Sequence, residues 1–256
     1  MKKISGLLAC IIFATTTGPA FANLEPSTAL ALDAILESPK RSKEDSVRDH
    51  NRLPKETLAF LGFNEHMKVL ELMPGKGWYS QILAGVLKDK GTLYTAIRTG
   101  GIEKRQANIE QDFGPFQILN VEAQRRVVDF TPIYEVPKFS LQVEPLDMIL
   151  TFRNYHNLSL TSREHVNKAA FSALKPGGVY AIVDHTRRHM EADNSENRRR
   201  VDPIQVIKDV QASGFVFSDY SKVHFRAEDE LKYEVGDKNV TGKSDRFTLK
   251  FVKPVY

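Results

Sequence analysis

The stretch from Val69 to Ser80, VLELMPGKGWYS, limits the possible folds of this chain more than any other. Its short apolar run interrupted by one acid, Glu71, reads as a buried strand. Pro74, Gly75 and Gly77 then end the strand and strip the turn of side chains. From Trp78 the pattern becomes helical, with Ile82, Leu83, Val86 and Leu87 predicted on one face. Such a turn brings main chain close to a ligand at a helix N-terminus, or it simply joins strand to helix. A phosphate loop is excluded, because Lys76 is followed by Gly77 and Trp78 and not by Ser or Thr.

The remaining chain repeats this alternation. GTLYTAI, LDMILTF and VYAIVDH read as further buried strands, and EKRQANIEQDF, SREHVNKAAFSAL and PIQVIKDVQASGF as helices. FVFSDYSKV and DRFTLKFVKP follow with no helix between them, which predicts an antiparallel hairpin added to a mostly parallel, doubly covered sheet. Residues 23–62 read as a helical extension, with Leu30, Ala34 and Leu36 on one stripe and Pro54 in a first helical turn. FQILNVEA and VVDFTPIYEV are compatible with strands or loops. In such sheets ligands sit at the carboxyl ends of the strands, where the strand order reverses.

The first residues have the layout of a secretory signal: Lys2 and Lys3, an apolar core from Ile4 to Ala14, and the small-residue site Ala20-Phe21-Ala22. They predict a signal peptide over residues 1–22 and an exported, periplasmic or secreted protein with no membrane span after cleavage. The only cysteine, Cys10, leaves with that segment, so disulfides and thiolate chemistry are excluded from the remainder. Net charge is +4, two of it from Lys2 and Lys3, too balanced to argue for a nucleic-acid partner.

VLELMPGKG, LDMILTFRNYHNL and ALKPGGVYAIVDH, in that order, resemble the class I S-adenosylmethionine-dependent methyltransferases, and most closely a group of predicted bacterial members, some of them exported. The resemblance covers the chain from about Leu53 to Pro254. It implies a Rossmann-like α/β fold with a seven-stranded, mostly parallel sheet over residues 63–256, the cofactor S-adenosylmethionine and a small-molecule acceptor. Glu71, Pro74, Gly75 and Gly77 match the first motif, which lies along the methionine part of the cofactor. Trp78 opens the next helix beside it, and Asn154 lies in the loop that family members use for cofactor and substrate. Two positions depart from the pattern. Met73 stands where a glycine is common, and Ile97-Arg98 where an acid normally binds the ribose, with Glu103 further along.

His156 is the candidate general base on that rim, Tyr155 and Asn154 are candidates to orient an acceptor, and Asp184 or His185, at the end of the fifth strand, is a further catalytic candidate. Asp184 and His185, adjacent on a strand, point to opposite faces and cannot pair with each other. His185, His189, Glu191 and Asp193 lack the pattern of a zinc protease, and no metal is expected. Arg198, Arg199 and Arg200 read as a solvated face or the border of a pocket for an anionic acceptor. In the extension, Arg48, Asp49, His50 and Arg52 read either as part of a lid or as a charged surface. Two functions follow: a methyltransferase for a small acceptor, or an exported binding or scaffolding protein that keeps the fold without the catalysis.

Overall fold

The computed structural model describes residues 24–97, 101–128 and 131–255. The proposed signal segment and Arg98 lie outside the described residues. Four helices lead: α1 (Pro26–Leu36), α2 (Lys43–Ser46), α3 (Asp49–Arg52) and α4 (Pro54–Leu61). There follow β1 (Lys68–Leu72), α5 (Trp78–Leu87), β2 (Thr92–Ala96), α6 (Ile102–Asp112) and β3 (Gln117–Leu119). A two-stranded ribbon, β4 (Gln124–Val128) with β5 (Thr131–Glu135), precedes β6 (Leu146–Phe152), α7 (Leu160–Ala173) and β7 (Leu174–His185). The chain closes with α8 (Pro203–Gln211), β8 (Val216–Ser221) and β9 (Arg246–Val252).

The seven-stranded sheet has the order β3-β2-β1-β6-β7-β9-β8. The pairs among β3, β2, β1, β6 and β7 are parallel, and β9 runs antiparallel to β7 and β8. This is the mostly parallel, doubly covered sheet that the alternation of elements predicts, in the seven-stranded Rossmann-like form that the resemblance implies. The last two strands pair as expected, though residues 222–245 make a long connection and not a tight turn. The order reverses between β1 and β6, which opens a crevice beyond their carboxyl ends.

Alternate residues of the central strands feed two cores. Val69, Met148 and Leu150 face α5 and the N-terminal helices, whereas Leu70, Leu72 and Ile149 face the side of α7 and α8. The extension belongs to the first core: Leu32, Leu58 and Leu61 are fully buried there. The predicted stripe on α1 is corrected. Leu30 and Ala34 are exposed, and Thr28 and Leu32 are the buried positions, because α1 lies along α5 with Ile35 against Gly85. A Cβ on Gly85 would come 2.5 Å from Ile35 Cδ1. Helix α5 consequently buries every residue, not one face. Among the described residues no helix is long and apolar enough to cross a membrane.

Candidate functional site

Three strands end on the same unusual backbone. Met73 after β1, Ile97 after β2 and Arg153 after β6 all take positive φ, at 54°, 58° and 58°. An L-residue there costs about 1–2 kcal/mol, so the surrounding bonds must hold it. Met73 N–H donates to the Ala96 carbonyl at 2.8 Å, Asn154 Nδ2 donates to the Met73 carbonyl at 2.8 Å, and Arg153 N–H donates to the Val183 carbonyl at 2.7 Å. Met73 thus supplies the bend a glycine would make easily, while its side chain enters the core. Strain of this kind at the mouth of a sheet is typical of functional sites.

Between these ends lies a pocket of about 140 Å³. Glu71, Pro74, Gly75, Trp78 and Asn154 of the predicted set line it, together with Arg48, Arg52, Lys76, Tyr79, Phe152 and Arg153. The two glycines of the turn have different tasks. Gly75 faces open space, with nothing within 4 Å of a Cβ placed on it. Gly77 faces α6, where a Cβ would come 2.6 Å from Ile102 Cδ1 and 2.9 Å from Ile109 Cδ1. Only Gly75 is a cradle; Gly77 is a packing position.

Glu71 is buried and accepts a hydrogen bond from Ser80 Oγ at 2.5 Å. Burial pushes its carboxyl up to about 8, against the opposing pull of Ser80 and Arg52. Trp78 donates from Nε1 to the Asp45 carbonyl at 2.8 Å, and the Arg52 guanidinium lies 4.2 Å from its ring centre. Tyr79 stacks on Phe152 with 3.5 Å between centroids. Helices α2 and α3 therefore lie over the mouth. The extension is held in this position by ion pairs, Arg41 to Asp49 at 2.6 Å and Arg105 of α6 to Asp45 at 2.9 Å.

The predicted catalytic residues His156, Tyr155 and Asp184 are buried, and none of them lines this pocket. His156 sits in a single 3-10 turn, Tyr155–Asn157, beyond β6. Its Nδ1 is 2.7 Å from Asp184 Oδ1, and its backbone N–H donates to Oδ2 at 2.9 Å. A Nδ1–H donated to the carboxylate leaves Nε2 as the basic ring nitrogen. Asp184 is thereby the partner of His156, a pairing that sequence spacing gave no sign of. His185 turns the other way, with Nδ1 2.9 Å from Ser244 Oγ. Burial, then the Arg246 charge, holds His185 well below the usual imidazole range.

Tyr155 is placed in the core, where its hydroxyl accepts a hydrogen bond from Asn167 Nδ2 at 2.9 Å. It is fully buried and braces the turn under His156 instead of facing an acceptor. The arginine run also differs from its sequence reading. Arg200 forms a fully buried pair with Asp229 at 2.9 Å, and Arg199 pairs with Glu234, so both pin residues 229–234 and neither borders the pocket. His189 binds Asp202 at 2.8 Å, away from His185. Ile97 is buried, and Glu103 is exposed on the first turn of α6. The strongest signals missed in the sequence are Arg48, Arg52 and Arg153 as one cluster, since they come from two distant segments.

No protein-family model and no curated protein matches the chain in sequence. Solved structures match it in fold. A SAM dependent methyltransferase from Aquifex aeolicus aligns with a TM-score of 0.52 at 17% identity, over 86% of this chain and 97% of its own. The [4+2]-cyclase SpnF aligns at 0.57 and 14% identity, over 91% and 98%. The N-methyltransferase NodS from Bradyrhizobium japonicum WM9 aligns at 0.51 and 13%, over 84% and 99%.

Proposed function

We propose that this protein is an S-adenosylmethionine-dependent methyltransferase acting on a small acceptor. The observation that carries the reading is the pocket over Gly75, at the reversal point of a sheet whose fold is shared with such enzymes. Gly75 leaves room for a ligand against main chain, and the buried Glu71 carboxyl, protonated up to about 8, offers its carbonyl oxygen to an ammonium hydrogen bond. These residues fit the amino-acid end of the cofactor.

When bound, the cofactor supplies an electrophilic methyl on a sulfonium. The chain's share is alignment and proton handling. Glu71, Gly75 and Asn154 hold and orient, with Trp78 closing the side under Arg52. For an acidic acceptor that extends past the pocket, His156, buried outside the pocket lining and oriented by Asp184, is the residue assigned to take the proton at Nε2. We also propose that the protein acts after export, on the strength of residues 1–22. Recovery of a chain beginning at Asn23 from the periplasm or medium supports this, and intact Met1 on the purified protein opposes it.

Calorimetric titration of the purified protein with S-adenosylmethionine and S-adenosylhomocysteine tests the main reading. Micromolar binding is expected. Heat from neither ligand, with a folded protein, returns the chain to the non-catalytic binding role.

A further inference from the structure

We propose that Arg48, Arg52 and Arg153 form an oxyanion subsite beside the glycine turn, and that it selects an acceptor carrying a carboxylate or phosphate group. The word acceptor rests on the methyltransferase reading above; the subsite itself does not.

The charge balance of the pocket comes first. Its wall carries three guanidinium groups and Lys76, against the single carboxyl of Glu71. That carboxyl keeps its proton to about 8, and Arg48 reaches Glu44 at 3.5 Å, so the wall carries net positive charge at neutral pH.

The partners of the arginines give the second argument. Arg41 meets Asp49 and Arg200 meets Asp229, whereas the buried Arg246, which repels Arg52, has no ion pair among the described residues and donates from Nη1 to the Asn51 carbonyl at 2.9 Å. Among the described residues neither Arg52 nor Arg153 has a carboxylate within ion-pair distance, and Arg153 Nε is buried without any hydrogen-bond partner. Burial and the mutual repulsion of Arg52, Arg153, Arg48 and Arg246 work against their charges. Guanidinium groups remain protonated under such pressure, so they favour an anion among them. A planar fork binds two oxygens of a carboxylate or phosphate at once.

The cofactor's own charge separates this site from it. S-adenosylmethionine has one carboxylate but two positive centres, the sulfonium and the ammonium, and is a net cation. One guanidinium suffices for its carboxylate, and three are more than it requires. Arg48 and Arg52 come from the N-terminal helices and Arg153 from the end of β6, so an anion between them joins the extension to the sheet.

Trp78, the only tryptophan of the chain, lies under Arg52 and reports on this cluster. The test is fluorescence titration of the purified protein with sodium phosphate and with sodium benzoate. Ionic strength is held constant with chloride, and each titration is run with and without saturating S-adenosylhomocysteine. A saturable response is expected with at least one anion and should persist beside S-adenosylhomocysteine. The dissociation constant should rise at least tenfold in Arg153→Gln and less in Arg153→Lys, with circular dichroism and the unliganded emission spectrum unchanged. A phosphate response and a benzoate response distinguish the two head groups. No saturable response, equal affinity in the variants, or competitive loss with S-adenosylhomocysteine overturns the proposal; the last would assign the arginines to the cofactor. Anion binding without any binding of S-adenosylhomocysteine overturns the methyltransferase reading and leaves the subsite standing.

Discussion

Nδ1 of His156 lies 2.7 Å from Oδ1 of Asp184, a carboxylate 28 positions further along and fully buried at the end of β7. Asp184 also accepts the backbone N–H groups of His156 and His185, at 2.9 and 2.7 Å. One carboxylate thus fixes the ring, the turn that carries it and the strand end. His156→Asn should lower methyl transfer to an acidic acceptor by about 10²- to 10⁴-fold without changing cofactor affinity. Unchanged turnover removes the base. Asp184→Ala leaves those donors without an acceptor and should cost about 1–3 kcal/mol or more in urea unfolding.

Gly75 and Gly77 should respond oppositely to the same substitution. Gly75→Ala has room for its Cβ and bears only the left-handed backbone cost of about 1–2 kcal/mol, yet its methyl enters the ligand space. Cofactor affinity should fall while the protein stays folded. Gly77→Ala carries that same cost and also collides with Ile102 and Ile109, adding about 1–3 kcal/mol of overpacking. Paired denaturation and calorimetry check this. Equal stability of the two variants contradicts the division of roles.

Glu71 makes stability depend on pH in a stated direction. Its folded carboxyl holds a proton up to about 8, whereas an unfolded glutamate releases its proton near ~4.3. Between those values the native state binds more protons, so this group makes stability fall as pH rises from about 4.3 to about 8 and adds no slope beyond. Glu71→Gln should therefore gain on the parent protein between pH 5 and pH 8, by up to about 1.4 kcal/mol per pH unit. A constant difference across that range is incompatible with a protonated Glu71.

Arg200 and Asp229 form an ion pair with both side chains fully buried. Arg200→Ala strands the carboxylate and should cost about 3–5 kcal/mol, measured by denaturant midpoint. A loss below about 1 kcal/mol would return the arginine run to a solvated surface.

The strand and helix alternation, the glycine turn and the closing antiparallel strands were legible because each rests on periodicity or on turn residues within one short window. The positions of β1, β2, β6 and β7 along the chain follow from such windows, and so does the position of Glu71 and Gly75 at a strand end. What faces what was not legible. Leu32 is buried and Leu30 exposed because α1 happens to lie along α5, and a local hydrophobic pattern with apolar residues on several sides does not choose between them.

The same limit explains the site. The amino-acid order alone determined a doubly wound sheet with a ligand-accessible turn after its first strand. Only the tertiary structure decided that Asp184 serves His156, that Tyr155 braces the core, that Gly77 packs while Gly75 opens, and that three arginines from two distant segments line one pocket with Trp78. Local pattern sets backbone geometry, whereas the charge and shape of a pocket arise from the strand order and the crossing of helices, which bring together residues that share no window of sequence.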